Sequence, residues 1–179
     1  QDASVYTHTP IGVVYPRSVE DIQTVVRVAS DNGFSITPRA AGTSLAGQAT
    51  GPGLVLDSGR HMNQILELNV EEKWVRVQPG VILDDLNRFL APHDLFFGPD
   101  TSTANRCMIG GMVGNNSCGS HSILYGNTMQ HVLELGVVMA DGGHHTLTEW
   151  TSEVLGKHRE EENQLGAAVR ALTTIVDEH

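Results

Sequence analysis

A chain of 179 residues is long enough for one domain or two closely packed lobes that bury roughly two-thirds of their unfolded surface. Its formal charge of −10, with no basic stripe and no aromatic-basic interleaving, argues against a nucleic-acid backbone or an anionic membrane surface as partner. Its two cysteines, Cys107 and Cys118, are too few for a disulfide framework or a four-thiolate metal site, and with no apolar run of about 18 residues and no export leader a cytoplasmic chain is expected.

Residues 12–15 read as a short strand ending at Pro16. Ser18, with Asp21 three residues on, opens an amphipathic helix that carries Val19, Ile22, Val25, Val26 and Ala29 and stops at Gly33. Residues 35–38 and 54–57 read as further strands, and a strand–helix–strand unit of this size implies a parallel pair. Residues 65–69 and 73–78 alternate across an acidic turn and suit a hairpin. A helix over 81–91 presents Ile82, Leu83, Leu86, Phe89 and Leu90 on one side and ends at Pro92. A long irregular region, 98–127, follows. The apolar run 132–140 and residues 145–147, joined through Asp141-Gly142-Gly143, read as a strand pair, and a last helix is expected from about Glu160. The fold class is α+β, with lobes at 1–60 and 61–150 and a helical extension at 151–179. An apolar helix face running to the last residue implies a chain that continues into a further domain.

Chemistry concentrates in the glycine-rich stretches. Arg39-Ala40-Ala41-Gly42-Thr43-Ser44-Leu45-Ala46-Gly47-Gln48 follows a strand and packs small residues, hydroxyls and two glycines together. Such a loop lets a backbone approach a ligand, and consecutive amides with the Thr43 and Ser44 hydroxyls suit a pyrophosphate without net positive charge. An ordinary strand-to-strand loop is the alternative. Neither G-x-G-x-x-G after the first strand nor G-x-x-x-x-G-K-[ST] is present. In the second stretch, Gly110-Gly111 reads as the start of a short helix whose amides face a ligand, while Asn115, Asn116 and Ser120 offer hydrogen bonds to a polar ring edge. A bulge-rich turn region is the alternative there.

The ordered set of Pro38 to Gln48, Pro79-Gly80-Val81, Pro99-Asp100, Ile109-Gly110-Gly111, Asn115 to Gly119, Tyr125-Gly126 and Ala140-Asp141-Gly142 closely resembles the FAD domain of the vanillyl-alcohol oxidase/p-cresol methylhydroxylase superfamily. Within it, the chain is similar to the FAD-linked branch of D-lactate dehydrogenases, glycolate oxidase FAD subunits and D-2-hydroxyglutarate dehydrogenases. The resemblance implies two α/β lobes with FAD between them and oxidation of a small D-2-hydroxy acid. It places the Arg39 to Gln48 loop on the pyrophosphate, Gly110, Gly111 and 115–119 on the flavin and ribityl side, and main chain near Val137 on the adenine. Pro38, Pro79, Gly80, Pro99, Asp100, Cys107, Ile109, Gly119, Tyr125 and Gly126 complete the cofactor-contacting set it implies.

Many relatives have three glycines where this chain has Ala40-Ala41-Gly42, and the small methyl groups are expected to leave binding intact. The loop lacks the histidine that often carries covalent flavin, so dissociable FAD is expected, with Cys118 a buried, inert thiol. In the resembling families a following cap domain handles the substrate, so this chain is expected to bind FAD without efficient turnover, and no catalytic residue is assigned. Some long relatives add an iron–sulfur domain or subunit, and peripheral membrane attachment of the longer protein stays open. A nucleotide- or partner-binding module without redox function is the alternative reading.

No metal site is expected, because Cys118, His121, His131, His144 and His145 match no compact spacing. Ser117, His121 and Asp141 lack the G-x-S-x-G elbow of a hydrolase triad. Trp74 reads as a packing residue, Arg39 as a phosphate partner or strand-end cap, and Glu160-Glu161-Glu162 as the solvated start of the last helix.

Overall fold

A computed structural model describes residues 2–178 and shows a mixed fold of helices and three small sheets. The first sheet is built from β1 (Gly12–Val14), β2 (Ile36–Arg39) and β3 (Leu54–Asp57), with α1 (Val19–Asp31) between β1 and β2. All three strands run parallel, but β3 lies in the middle, in the order β1-β3-β2. The strand–helix–strand unit is therefore parallel as expected, while its two strands each pair with β3 rather than with one another. Burial explains the order. Val55 and Leu56 of β3 are 7% and 6% exposed, as a central parallel strand requires. Pro38, which has no N–H for a second neighbour, sits on edge strand β2.

Helix α1 starts where its cap sequence places it. The Ser18 hydroxyl accepts from the Asp21 amide, and the Asp21 carboxylate accepts from Arg17 N–H at 2.8 Å. Its end is a left-handed Gly33 (φ 68°) with Phe34 N–H returning to Ala29 C=O at 2.8 Å.

The hairpin of β4 (Ile65–Asn69) and β5 (Trp74–Val77) is closed by Glu72, whose carboxylate accepts from both Asn69 and the Trp74 indole. The hairpin lies on α2 (Leu83–Leu90): Val81, Leu86 and Leu90 are buried against Ile65, Leu68, Val75, Val77, Leu95 and Phe97. Phe89, expected on this face, is 44% exposed. Pro92 does not end the chain's helical course abruptly but sits in a single 3-10 turn, Ala91–His93. A second apolar cluster, Leu83, Cys107 and Met112, links α2 to α3 (Ile109–Asn115).

After α4 (Ser122–Tyr125), the strand expected over 132–140 narrows to β6 (Leu135–Val138), antiparallel to β7 (His144–Leu147). The intervening turn ties three parts of the chain together. Gln23 donates to Gly142 C=O at 2.7 Å, and Asp141 and Gln164 exchange main-chain to side-chain hydrogen bonds of 2.9 and 3.2 Å. The last helix, α6 (Gln164–Glu178), begins four residues later than expected because a separate helix, α5 (Ser152–Arg159), precedes it. Glu160-Glu161-Glu162 therefore lies in the connection. There Glu161 binds His158 at 2.7 Å and Asn163 at 2.8 Å, rather than forming a helix start.

Candidate functional site

The loop after β2 bends sharply at two glycines in the left-handed region, Gly42 (φ 68°) and Gly47 (φ 81°). At Gly42 a side chain is excluded twice, by the backbone conformation and by the Arg39 guanidinium, which lies where a Cβ would stand. The bends turn Thr43 and Ser44 toward a cavity of about 870 Å³. Its opposite wall comes from residues 101–103, Arg106 and residues 115–118, about sixty positions further along the chain. Hydrogen bonds join the two walls: the Asn115 amide donates to the Ser44 hydroxyl at 3.2 Å, and Gln48 donates to the Asn115 carbonyl oxygen at 3.5 Å.

Two cations, Arg39 and Arg106, and one carboxylate, Asp2, line this cavity among hydroxyls and amides. That chemistry suits an elongated ligand with a diphosphate, held mainly by main-chain and hydroxyl donors. A second cavity, about 400 Å³, opens on the other side of residues 39–41 between Tyr15, Ala40, Asp57, Arg60 and Met108. There the Arg60 guanidinium stands 4.8 Å above the Tyr15 ring.

At the start of α3 the Gly110 amide is engaged differently from the expectation. The Gly110 amide donates to Pro79 C=O at 2.8 Å and the Ile109 amide to Val81 C=O at 2.9 Å, so neither faces a ligand. A Cβ on Gly110 would lie 2.6 Å from Pro79 Cβ, and one on Gly111 would lie 3.4 Å from Ala40 Cβ. These glycines let α3 rest directly on the Pro79-Gly80 turn and on the loop after β2. Gly80 is held in turn, its amide donating to Met62 C=O at 2.7 Å.

The segment after α3 is fixed from behind. Asn116 takes a left-handed conformation (φ 47°), which asparagine tolerates, and its side-chain oxygen accepts from the Met129 amide at 2.9 Å. Ser117 C=O accepts from the amide and the hydroxyl of fully buried Thr128. The Asp100 carboxylate gathers Ser120 Oγ at 3.2 Å, the His121 amide at 3.3 Å and His121 Nδ1 at 2.7 Å. The His121 hydrogen bond is the main reason that carboxyl is held below its ordinary value. A Cβ on Gly119 would overlap the Asp100 carbonyl, so the two segments touch backbone to backbone.

Of the residues expected at a cofactor, Arg39, Ala41, Gly42, Thr43, Ser44, Gln48, Asn115 and Asn116 line the larger cavity, and Ala40 lines the smaller. Gly47, Pro79, Gly80, Pro99, Asp100, Ile109, Gly110, Gly111 and Gly119 do not line the cavity but pack behind or beside its walls, while Pro38 is exposed on edge strand β2 and Ser120 is exposed, bonded to Asp100. Cys107 is 4% exposed in the apolar cluster with Met112, its thiol 3.1 Å from Thr101 Oγ1. Tyr125 and Gly126 belong to a packing group with Phe96, Gln130 and His131, and Val137 lies in β6 opposite His145. Cys118 is exposed and lines the cavity, which corrects the expectation of a buried thiol. Asp2, Ala3, residues 101–103 and Arg106 are additions to the site. Only the hydroxyl-rich Thr101-Ser102-Thr103 run carries a local signal for them.

Among the described residues no three histidine, cysteine or acidic side chains converge as metal ligands, and no helix is long and apolar enough to cross a membrane.

Residues 10–148 match the family described as FAD binding domain. The D-2-hydroxyglutarate dehydrogenase of Pantoea ananatis is 44% identical over 144 residues, which cover 79% of this chain and 14% of that protein. The glycolate oxidase subunit GlcD of Bacillus subtilis is 40% identical over 139 residues, 76% of this chain and 29% of that subunit. Among solved structures, 6-hydroxy-D-nicotine oxidase from Arthrobacter nicotinovorans superposes with a TM-score of 0.72 at 27% identity, covering 82% of this chain and 32% of that one. The chain thus spans 14% and 29% of the length of the curated relatives described.

Proposed function

From the premise that the chain belongs to the FAD binding domain family, we propose that the larger cavity holds FAD, and that the chain is the cofactor-binding portion of an oxidoreductase acting on a D-2-hydroxy acid. The observation that carries this reading is the hydrogen-bonded junction between the left-handed glycine loop and Asn115, which walls a cavity rich in hydroxyls and amides. Those residues fit a dinucleotide. Loop amides with Thr43 and Ser44 would take phosphate oxygens, Arg39 and Arg106 would offset their charge, and Asn115 with residues 117–118 would border the ring end.

When bound, FAD supplies the capacity to accept a hydride equivalent, and the protein supplies binding and orientation. Dissociable FAD is part of the proposal, since no histidine stands in the loop at residues 39–48. Substrates in the D-lactate, glycolate and D-2-hydroxyglutarate class follow from the names of the relatives. Turnover belongs to the longer protein. Its remaining domains would hold the substrate, and an iron–sulfur domain or subunit is one acceptor of its electrons. The lobes at 1–60 and 61–150 and the extension at 151–179 are the working division of this portion.

Thermal unfolding with excess FAD, FMN or NAD tests the reading. A ligand at a hundred times its Kd adds about 2.7 kcal/mol and raises the midpoint of a chain this size by roughly 5–10 °C. A rise with FAD alone supports the assignment, and no rise with any of the three sinks it.

A further inference from the structure

The residues ahead of β1 make a self-bonded turn that nothing in the family assignment requires. The Asp2 carboxylate accepts from the Ser4 amide at 2.8 Å and from the Ser4 hydroxyl, and that hydroxyl accepts from the Tyr6 amide at 3.1 Å. Three alternate residues thereby fix one another, in a pattern Asp-x-Ser-x-Tyr. The fixed turn reaches the ligand loop at both of its left-handed glycines. Ala3 N–H donates to Gly42 C=O at 3.1 Å, and the Tyr6 ring fills the place of the missing Gly47 side chain, 2.8 Å from where a Cβ would stand.

The first of these contacts has a geometric consequence. Gly42 C=O and Thr43 N–H share one trans peptide plane and point in opposite directions, so anchoring the carbonyl fixes the direction of the amide. The anchor uses a carbonyl oxygen, which a phosphate cannot use, and leaves the loop's donors for the ligand. The second contact holds Gly47, whose carbonyl accepts from the Thr50 amide and hydroxyl at 3.2 and 3.0 Å and so closes the loop. The Ser4 hydroxyl, then the Ser4 amide, hold the Asp2 carboxyl below its ordinary value.

We propose that residues 2–6 are a clamp on the loop between Gly42 and Gly47, with Asp2, Ser4 and Tyr6 as positioning residues that set its amides for the diphosphate of the cofactor. The proposal rests on the FAD reading above. Without the clamp the loop must be ordered by the ligand itself, at a cost in affinity and not in the stability of the rest of the fold.

The test measures Kd for FAD and for ADP by titration of the chain, with the ligand-free melting midpoint recorded for every variant. Asp2→Ala, Ser4→Ala and Tyr6→Ala are each expected to weaken FAD and ADP about tenfold, the weight of one lost hydrogen bond or ring contact, while the midpoint stays within a few degrees. Tyr6→Phe, which keeps the ring, is expected to restore affinity, and Val176→Ala, at a residue of α6 that is 75% exposed, serves as the control. If wild type binds FAD but the variants bind it equally well, the clamp is wrong and the FAD reading stands. Weakening for FAD but not for ADP also overturns the clamp, as does a fall in midpoint large enough to account for the lost affinity. Failure of wild type to bind either nucleotide removes both proposals together.

Discussion

Gly110 and Gly114 lie one turn apart in α3 and give the sharpest test of why glycine occurs there. In an open helix position, alanine in place of glycine gains about 0.5–1 kcal/mol, because glycine loses more backbone freedom on folding. At Gly114 nothing lies within 4 Å of the added methyl, so Gly114→Ala is expected to realise that gain and raise the melting midpoint by roughly 1–4 °C. At Gly110 the same methyl meets Pro79 Cβ at 2.6 Å, against a relaxed carbon–carbon contact of about 3.5–4.0 Å. Helix α3 must then back away by roughly 1 Å, and overpacking of this kind costs about 1–3 kcal/mol, which exceeds the propensity gain over most of that range. The same displacement draws Gly111 away from Ala40 and Asn115 away from Ser44, so Gly110→Ala also loses FAD affinity while Gly114→Ala keeps it. Differential scanning fluorimetry and FAD titration of the two variants decide the matter. Equal midpoints and equal affinities would refute the packing role of Gly110.

Three further outcomes follow from the geometry. Asp100 has a depressed carboxyl pKa, so its contribution is present above its unfolded value near 3.8 and is lost as pH falls through the lower folded value. The midpoint difference between wild type and Asp100→Asn is therefore expected to be full at pH 6 and to shrink below about pH 4; a constant difference over that range contradicts the pairing with His121. Cys118 is exposed on the cavity and Cys107 is buried, so N-ethylmaleimide is expected to label the native chain once, at Cys118, and excess FAD to slow that labelling. Mass spectrometry that finds Cys107 modified first would reverse the assignment of the two thiols. Leu86→Ala empties a position 1% exposed beneath the β4–β5 hairpin and is expected to cost about 2–5 kcal/mol in chemical unfolding; a loss below 1 kcal/mol would mean that the cluster collapses around the gap.

Local chemistry was the most legible part of the chain. Ser18 and Asp21 announced the start of α1, and Gly33 its end, because caps and left-handed stops act within four residues. The glycine loop was legible for the same reason: left-handed conformations at Gly42 and Gly47 leave a residue-type trace. What depends on distant partners left no such trace. Nothing within residues 12–39 tells β1 and β2 that β3 will enter between them, since pairing order follows from which strand can be buried on both faces. Helix α5 escaped notice because its eight residues carry only Val154 and Leu155 as apolar positions and include Gly156. The Gly110-Gly111 pair suggests a source of free amides, yet the Gly110 amide is taken within the fold. The carbonyls that take those of Ile109 and Gly110 come from Pro79 and Val81, about thirty residues earlier. Cys118 was expected inside on the general tendency of free cysteine, and the turn after Asn116 carries it outward instead.

The central place of β3 bears on how the chain comes to be folded during its synthesis. Residues 12–39 contain two strands and a helix, yet neither strand has a sheet partner until residues 54–57 have been made. Until then two unpaired strand edges and the apolar side of α1 stand open to other chains, the condition in which nascent proteins associate wrongly and chaperones are engaged. The interval is set by the loop at residues 40–53, so the segment that shapes the larger cavity also governs how long the sheet waits for its middle strand.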